Sequence, residues 1–195
     1  MIEIDRSFAI VTVDVQNDFC PGGALGVANG NKIITKINEV NALAEEKGAL
    51  RIATRDWHSP IMEEHFKIWP VHCVQDTPGA EFHPELETEG FEIFSKGMNP
   101  KEHGYSPFEG RNEQGQSLNE YLQREGIEKV VFLGIATEHC VKAGAMGAVA
   151  KERRYETFLT TDAIAAVNAK AGDEERAIKD MQDAGVILIG ARDMR

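Results

Sequence analysis

Cysteine, basic residues and long apolar runs are all scarce in this sequence, and each shortage excludes a class of protein. The 195 residues include three cysteines, an odd and low number that argues against a disulfide framework. Lysine and arginine total 21 against 32 aspartates and glutamates, and the formal net charge of −11 disfavours nucleic acid or an anionic membrane as a partner. No apolar run reaches the length of about 18 residues that crosses a membrane. The first residues, MIEIDRS, also lack the basic stretch and apolar core of a secretory signal, so we expect a cytoplasmic protein.

The composition is that of an ordinary globular chain, and its apolar pattern predicts an α/β fold. Hydrophobic residues make up 42% of the sequence, and we expect one domain that spans residues 1–195. Apolar runs predict strands at residues 8–13, 49–54, 91–94, 129–136, 157–160 and 186–189. Helical periodicity predicts helices at residues 32–46, 117–124, 140–151 and 173–184, with a loop-rich stretch from 59 to about 90. This alternation predicts three layers, with a mainly parallel β-sheet flanked by helices on both faces.

Reactive side chains follow four of the predicted strands. Asp14, Asp56 and Lys96 come shortly after the first three strands. Cys140 lies just past the fourth strand, at the predicted start of a helix. Ligands of parallel α/β sheets bind beyond the carboxyl ends of the strands. We therefore expect these four side chains to converge on one edge of the sheet.

Cys140 is the candidate nucleophile. A thiol at a helix N-terminus lies at the positive end of the helix dipole, which favours the thiolate, and free N–H groups of the first turn can bind an oxyanion. A buried cysteine that acts as a small apolar side chain is the alternative, and position alone does not separate the two. Asp14 could accept the thiol proton and Lys96 could stabilise the charges of both. Taken singly, Asp14 could also be a solvated strand-end aspartate and Lys96 an ordinary surface lysine.

A second group of residues has the spacing of metal ligands. Asp56 and His58 are separated by one residue, so both side chains point the same way in an extended chain. His72 follows in the same loop, and two imidazoles with one carboxylate leave coordination positions open, as catalytic metal sites require. His65 or Glu64 could add a fourth ligand. Zinc, iron and manganese all suit this set, and a histidine-bearing loop without metal is the alternative.

Several sequence blocks in a fixed order carry a resemblance to a known family. They are DVQNDFCPGGAL (residues 14–25), ATRDWH (53–58), WPVHCVQDTPGAEF (69–82), SKGMNP (95–100), YSPFEG (105–110) and GIATEHCV (134–141). Together they resemble the nicotinamidase/pyrazinamidase family of the isochorismatase-like superfamily over residues 8–189, which is nearly the whole chain. The fold that the resemblance implies is the same three-layer α/β fold.

The resemblance implies a catalytic centre. It implies a triad of Asp14, Lys96 and Cys140, the residues already reached from the strand ends. It also implies an oxyanion hole formed by the backbone N–H groups of Ala136 and Cys140, with a cis peptide bond between residues 135 and 136.

The resemblance further implies how ligands are held. One divalent ion, zinc in the first place with Fe²⁺ or Mn²⁺ as alternatives, would lie on Asp56, His58 and His72 and bond a ring nitrogen of the substrate. His65 is preferred to Glu64 as a fourth ligand, because the His-Phe pair matches some members of the family. A flat ring would stack on aromatic side chains; Trp57 is one candidate near these motifs, and the implied substrate contacts are Phe19, Trp69, Tyr105 and His139.

The activity that the resemblance implies is hydrolysis of a small molecule, nicotinamide, to nicotinic acid and ammonia through a cysteine thioester. Pyrazinamide would be a second substrate, and the metabolic role would be NAD salvage. Whether the protein forms a homo-oligomer stays open, because family members range from monomers to larger assemblies. Three alternatives remain: a cysteine amidohydrolase acting on a carbamoyl or ureido substrate without the metal site, a catalytically silent binding module of this fold, and a metallohydrolase whose ion activates water.

Overall fold

One parallel sheet runs through the chain. In the computed structural model, which describes all residues from 1 to 195, the six strands lie in the order β3–β2–β1–β4–β5–β6, and every neighbouring pair is parallel. The strands are β1 Phe8–Val13, β2 Leu50–Asp56, β3 Glu92–Lys96, β4 Lys129–Ile135, β5 Glu156–Ala165 and β6 Ile187–Ile189. The predicted mainly parallel sheet is therefore confirmed, and it is wholly parallel.

Helices cover both faces of this sheet. The chain has five α-helices, of which α2 lies in a loop: α1 Ile34–Lys47, α2 Glu63–Ile68, α3 Leu118–Arg124, α4 Lys142–Val149 and α5 Asp173–Asp183. Side chains along β1 alternate between the faces: Phe8 and Ile10 pack into one core with Ile37 of α1, and Val11 packs into a second core with Met181 of α5. Burying each such side chain contributes about 1.5–3 kcal/mol. None of the helices has both the length and the apolar character that crossing a membrane requires.

Three elements differ from the sequence prediction. α2 lies in the predicted loop, because its six residues are too few to display helical periodicity. β5 continues well beyond its predicted end at residue 160, because the exposed Thr161 and Asp162 interrupt its apolar run. The predicted helix at residues 140–151 is divided into an irregular turn, Thr137–Val141, and α4, because His139 (φ −115°, ψ −106°) has a non-helical backbone.

The connections of the sheet change direction between β1 and β4. In doubly wound sheets of this strand order, the ligand crevice lies at that switch point, beyond the carboxyl ends of the strands. Gly134 of β4 lets the two strands approach closely, since its φ is +115° and an added Cβ would lie 2.7 Å from the backbone nitrogen of Val13. Asp14 follows β1 and Cys140 follows β4, so the fold brings both to the same crevice.

Gln16, two residues past Asp14, ties the ends of β1 and β2 together. Its fully buried side chain donates to the carbonyl oxygens of Asp56 and Ala80 and accepts from the N–H of Asp56, each at 2.8 Å. Methionine would keep the length of the side chain but leave these three backbone groups unpaired, and a buried unpaired group costs about 1–3 kcal/mol. We expect Gln16→Met to lower the free energy of unfolding, measured by urea denaturation, by about 3 kcal/mol.

Gln75 offers a matched control for this prediction. It is half-buried and donates one side-chain hydrogen bond, to the Trp57 carbonyl at 2.9 Å. Gln75→Met is therefore expected to cost about 1 kcal/mol or less. Equal losses of stability in the two variants would contradict the role given to Gln16.

Candidate active site

Lys96 lies at the centre of a buried cluster of charges. It is the last residue of β3 and pairs in register with Asp56, the last residue of β2. Its Nζ lies 2.8 Å from Asp14 Oδ2 and 3.6 Å from Cys140 Sγ, and it also contacts Asp56 Oδ1. A further bond of 2.7 Å reaches the Gly104 carbonyl. The structure thus brings together the four side chains that the strand ends predicted.

Two carboxylates keep Lys96 charged although it is 1% exposed. Burial works against the ammonium, but Asp14 and Asp56 together raise the pKa of Lys96 well above its usual value. Burial raises the pKa of Asp14, and the attraction of Lys96 opposes that rise. Thr54 Oγ1 donates to Asp14 Oδ1 at 2.7 Å and so orients the carboxylate. Asp14 is therefore a stronger proton acceptor than a solvated aspartate, as a base toward a thiol must be.

The Cys140 thiol lies before the helix start rather than at it. Burial raises the pKa of Cys140 well above its usual value, Asp14 and Asp56 add to the rise, and Lys96 opposes it. The expected help of a helix dipole is small, because α4 begins only at Lys142 and Cys140 lies in the kinked turn before it. Burial therefore favours the protonated thiol, which needs a neighbouring base, and the helix dipole gives Cys140 less help than its predicted place at a helix start implied.

The turn that carries Cys140 also presents backbone donors. A cis peptide bond joins Ile135 and Ala136, as the resemblance implied. The Ala136 carbonyl accepts from the N–H groups of His139 at 3.0 Å and Val141 at 3.3 Å, while the Ala136 N–H has no partner within the protein. Ala136 and Cys140 both line the same pocket. Their N–H groups are the candidates for an oxyanion hole.

Three imidazoles converge beside this cluster. Ligand nitrogens of His58, His65 and His72 all lie within 4.8 Å of one another, and the three residues are buried. Asp56 Oδ2 lies 3.5 Å from His58 Nε2 and 3.8 Å from His72 Nε2. Nε2 of His58 and Nε2 of His65 have no hydrogen-bond partner. Buried polar atoms without a partner are rare, and a divalent cation would satisfy both.

The outer nitrogens of two of these rings are held by backbone carbonyls. His58 Nδ1 lies 3.1 Å from the Gly97 oxygen, and His72 Nδ1 lies 2.7 Å from the Pro70 oxygen. Because a carbonyl can only accept, each ring carries its proton on Nδ1 and directs the Nε2 lone pair inward, the usual arrangement around a metal. Burial lowers the pKa of His65 to about 4 and also lowers the pKa of His72. Neutral imidazole is the form that binds metals.

The negative charge of Asp56 also favours a cation at this cluster. Lys96 lowers the pKa of Asp56 to about 2 against the effect of burial, so Asp56 is ionised. An ionised carboxylate beside imidazole ligands suits a divalent ion. The residues therefore fit a divalent ion on Asp56, His58, His65 and His72. Glu64 does not reach this cluster, because its carboxylate is exposed and pairs with Lys67 at 2.5 Å.

A pocket of about 410 Å³ opens over both clusters. Cys140 and Asp56 line its inner end, and the predicted substrate contacts that also line it are Phe19, Trp69, Tyr105 and His139. The Trp69 indole N–H donates to the Tyr105 hydroxyl at 2.9 Å, and the Trp69 ring meets His139 edge-on at 5.5 Å. Trp57 is the exception among the aromatic candidates: the Arg55 guanidinium lies over its ring at 3.8 Å and it does not line the pocket.

Four further residues support the site although the sequence did not single them out. Thr54 and Gln16 fix Asp14 and the end of β2, as described above. Glu138 accepts from the backbone N–H groups of residues 167 and 168 at 3.2 and 2.7 Å and so holds one wall of the pocket. His103 contacts His65. Gln16, Thr54 and Glu138 lie within the quoted motif blocks, which was their only signal, and His103 had none.

A doubly wound parallel sheet that brings a thiol, a carboxylate and an ammonium to one pocket defines the class of α/β cysteine hydrolases. The chain belongs to the isochorismatase family: the Isochorismatase domain matches residues 8–193. The fold and family predicted from the motif blocks are therefore confirmed.

Characterised relatives share almost the full length of the chain. It is 38% identical over 189 residues to the nicotinamidase/pyrazinamidase of Mycobacterium tuberculosis, covering 93% of this chain and 97% of the relative. The structure of the pyrazinamidase of Pyrococcus horikoshii in complex with zinc is similar at 42% identity and a TM-score of 0.84, covering 94% of this chain and 99% of that one. A protein of L. infantum in complex with nicotinate gives a TM-score of 0.85 at 29% identity, covering 100% and 98%.

Proposed function

We propose that the protein hydrolyses nicotinamide to nicotinic acid and ammonia, and pyrazinamide in the same way. The observation that carries the proposal is that the Cys140 thiol and two members of the histidine cluster, His65 and His72, line one aromatic pocket. On a flat ring that carries a carboxamide and a ring nitrogen, the carboxamide would meet the thiol, and the ring nitrogen would meet an ion held by the histidines. The relatives named nicotinamidase or pyrazinamidase support this substrate class.

The first half of the reaction forms a thioester. Asp14 takes the proton from Cys140, and the thiolate sulfur attacks the carboxamide carbon. The N–H groups of Ala136 and Cys140 stabilise the oxyanion, a contact typically worth about 3 kcal/mol in such reactions. Asp14 then passes its proton to the leaving nitrogen, ammonia departs, and the acyl group stays on sulfur.

The second half of the reaction restores the enzyme. Asp14, again a carboxylate, takes a proton from water while the water oxygen attacks the thioester carbon. The tetrahedral intermediate collapses, the carboxylic acid leaves, and the sulfur receives the proton back. Lys96 stays charged throughout and balances the negative charge that moves between Asp14 and Cys140, both of which it contacts.

Four side chains would hold the metal ion: Asp56, His58, His65 and His72. When bound, a divalent ion supplies a Lewis-acid contact for a ring nitrogen of the ligand. Zinc is the ion we propose, because imidazole and carboxylate ligands suit it and a similar pyrazinamidase was solved with zinc. The role in NAD salvage and the cytoplasmic location remain predictions that accompany this proposal.

Nicotinamide and benzamide form a matched pair of test substrates. Benzamide has the same carboxamide and ring shape but lacks the ring nitrogen. We expect zinc-loaded protein to release ammonia from nicotinamide with kcat/KM of about 10⁴ M⁻¹s⁻¹ or more. For benzamide we expect kcat/KM to be lower by at least about 10²-fold, because the metal ion is then left without the ring nitrogen that it would bond. Ammonia and the acid are measured by a coupled assay and by chromatography.

Other outcomes would redirect the proposal. Equal hydrolysis of both amides would contradict a metal contact to the ring nitrogen. Release from carbamoyl or ureido compounds but not from nicotinamide would favour the carbamoyl hydrolase alternative. Absence of hydrolysis of any of these substrates by zinc-loaded protein would favour a binding module.

A further inference from the structure

His65 differs from the other two imidazoles of the cluster in what holds its outer nitrogen. His58 and His72 use backbone carbonyls. His65 Nδ1 instead lies 3.2 Å from Nδ1 of His103, a side chain from the segment after β3. A carbonyl can only accept a hydrogen bond, whereas a neutral imidazole nitrogen can accept or donate. The tautomer of His65 is therefore set by a partner that itself has two tautomers.

Only one of the two arrangements leaves His65 able to bind a metal. If His103 donates from Nδ1, the His65 proton lies on Nε2, and no lone pair points into the cluster. If His65 donates from Nδ1, His103 accepts and carries its own proton on Nε2, and the buried Nε2 of His65 is free to coordinate. Coordination and the direction of the His65–His103 hydrogen bond are therefore linked.

The position of His103 is fixed by contacts on both sides. The adjacent Gly104 carbonyl accepts from Lys96 Nζ at 2.7 Å. The His103 ring stacks on Tyr105, with centroids 5.6 Å apart and planes inclined by 17°. Gly104 has a φ of +73°, and an added Cβ would lie 2.6 Å from the Gly97 nitrogen, so a glycine is required for this close approach. The segment is thus held against the residues that line the catalytic centre.

We propose that His103 is a positioning residue for the metal site, which it serves by accepting the Nδ1–H hydrogen bond of His65. It lines the same pocket, and the contact that gives it this role is the one to His65 Nδ1. Its effect is on metal affinity, because an unfixed His65 ring must be oriented and set in the correct tautomer at the moment of binding. Outer partners of this kind typically contribute 10–100-fold to affinity. The inference rests on the metal site of the proposed function.

Zinc affinity of the metal-free protein tests this role without reference to hydrolysis. Zinc is titrated in competition with a chromophoric chelator into the wild type, His103→Ala, His103→Asn and His83→Ala. We expect His103→Ala to bind zinc about 10–100-fold more weakly. Asparagine places an amide oxygen close to where Nδ1 lies, so His103→Asn should recover affinity to within about threefold of the wild type. His83 accepts from the Glu85 N–H outside the site and serves as the unaffected control.

Two results would overturn the inference. An affinity of His103→Ala within about threefold of the wild type would show that His65 needs no partner, and failure of His103→Asn to recover affinity would show that accepting the bond is not what matters. If the wild type itself binds no zinc, the metal site of the proposed function fails together with this inference. Unfolding curves of the metal-free variants that overlay the wild-type curve guard against a change in folding.

Discussion

Replacing Cys140 by alanine is expected to lower kcat for nicotinamide hydrolysis by about 10⁴-fold or more and to leave zinc affinity unchanged. No other thiol in the chain lines the pocket, so the acyl group has no alternative acceptor. The cost to stability should be small, because alanine removes one sulfur beside a pocket. Ammonia release under saturating substrate measures the rate, and the chelator competition measures the affinity.

Cys20→Ala is the matched control for this prediction. Cys20 is also buried, and burial raises its pKa to about 11, but it belongs to the core packed against α1. Its replacement should cost stability and leave kcat within about twofold. Activity of Cys140→Ala close to the wild-type value would disprove the thioester, and if that activity were still abolished by a chelator it would favour a metal-activated water.

Replacing His58 by alanine is expected to weaken zinc binding by at least about 10³-fold and to abolish hydrolysis of nicotinamide. The loss should exceed the 10–100-fold effect of an outer partner, because His58 offers a coordinating nitrogen and is fully buried beside Asp56. A chelator applied to the wild type should reproduce the loss of activity, and added zinc should restore it in the wild type alone. Zinc titration and the ammonia assay give the two readings.

Glu64→Ala is the control for this second prediction. Glu64 was the competing choice for a fourth ligand, and its exposed carboxylate pairs with Lys67. The variant should bind zinc as tightly as the wild type. A large loss of affinity in Glu64→Ala together with unchanged affinity in His58→Ala would contradict the ligand set assigned here.

The convergence of Asp14, Lys96 and Cys140 followed from the sequence because two simple rules combine. Apolar runs that end at charged residues mark the ends of buried strands, and parallel strands bring all their carboxyl ends to one edge. The order of the strands did not follow, since an apolar run does not reveal its neighbour. Only the structure shows that β1 and β4 are adjacent and that Asp14 and Cys140 share a crevice.

The choice between Glu64 and His65 depended on an element that the sequence did not reveal. Consecutive residues of a helix differ in direction by about 100°, so one of the two faces the cluster and the other faces solvent. Without a prediction of α2, only the His-Phe pair of the family resemblance favoured His65. The helix start was mispredicted for a related reason, because the kink at His139 moves it past the Cys140 thiol. The contact of His103 with His65 joins positions 38 residues apart and has no periodic signature.

The site residues also fall into two groups along the chain, one up to the loop after β3 and one beyond it. Asp14, Lys96 and the four candidate metal ligands all come from β1 to β3 and their loops, whereas Cys140 comes from the half that follows β3. The first part of the chain thus supplies the proposed base, its ammonium partner and the metal ligands, and the second part supplies the nucleophile. Replacing Cys140 alone would leave a protein that still binds its substrate but does not react with it, and that could serve as a reversible carrier or sensor.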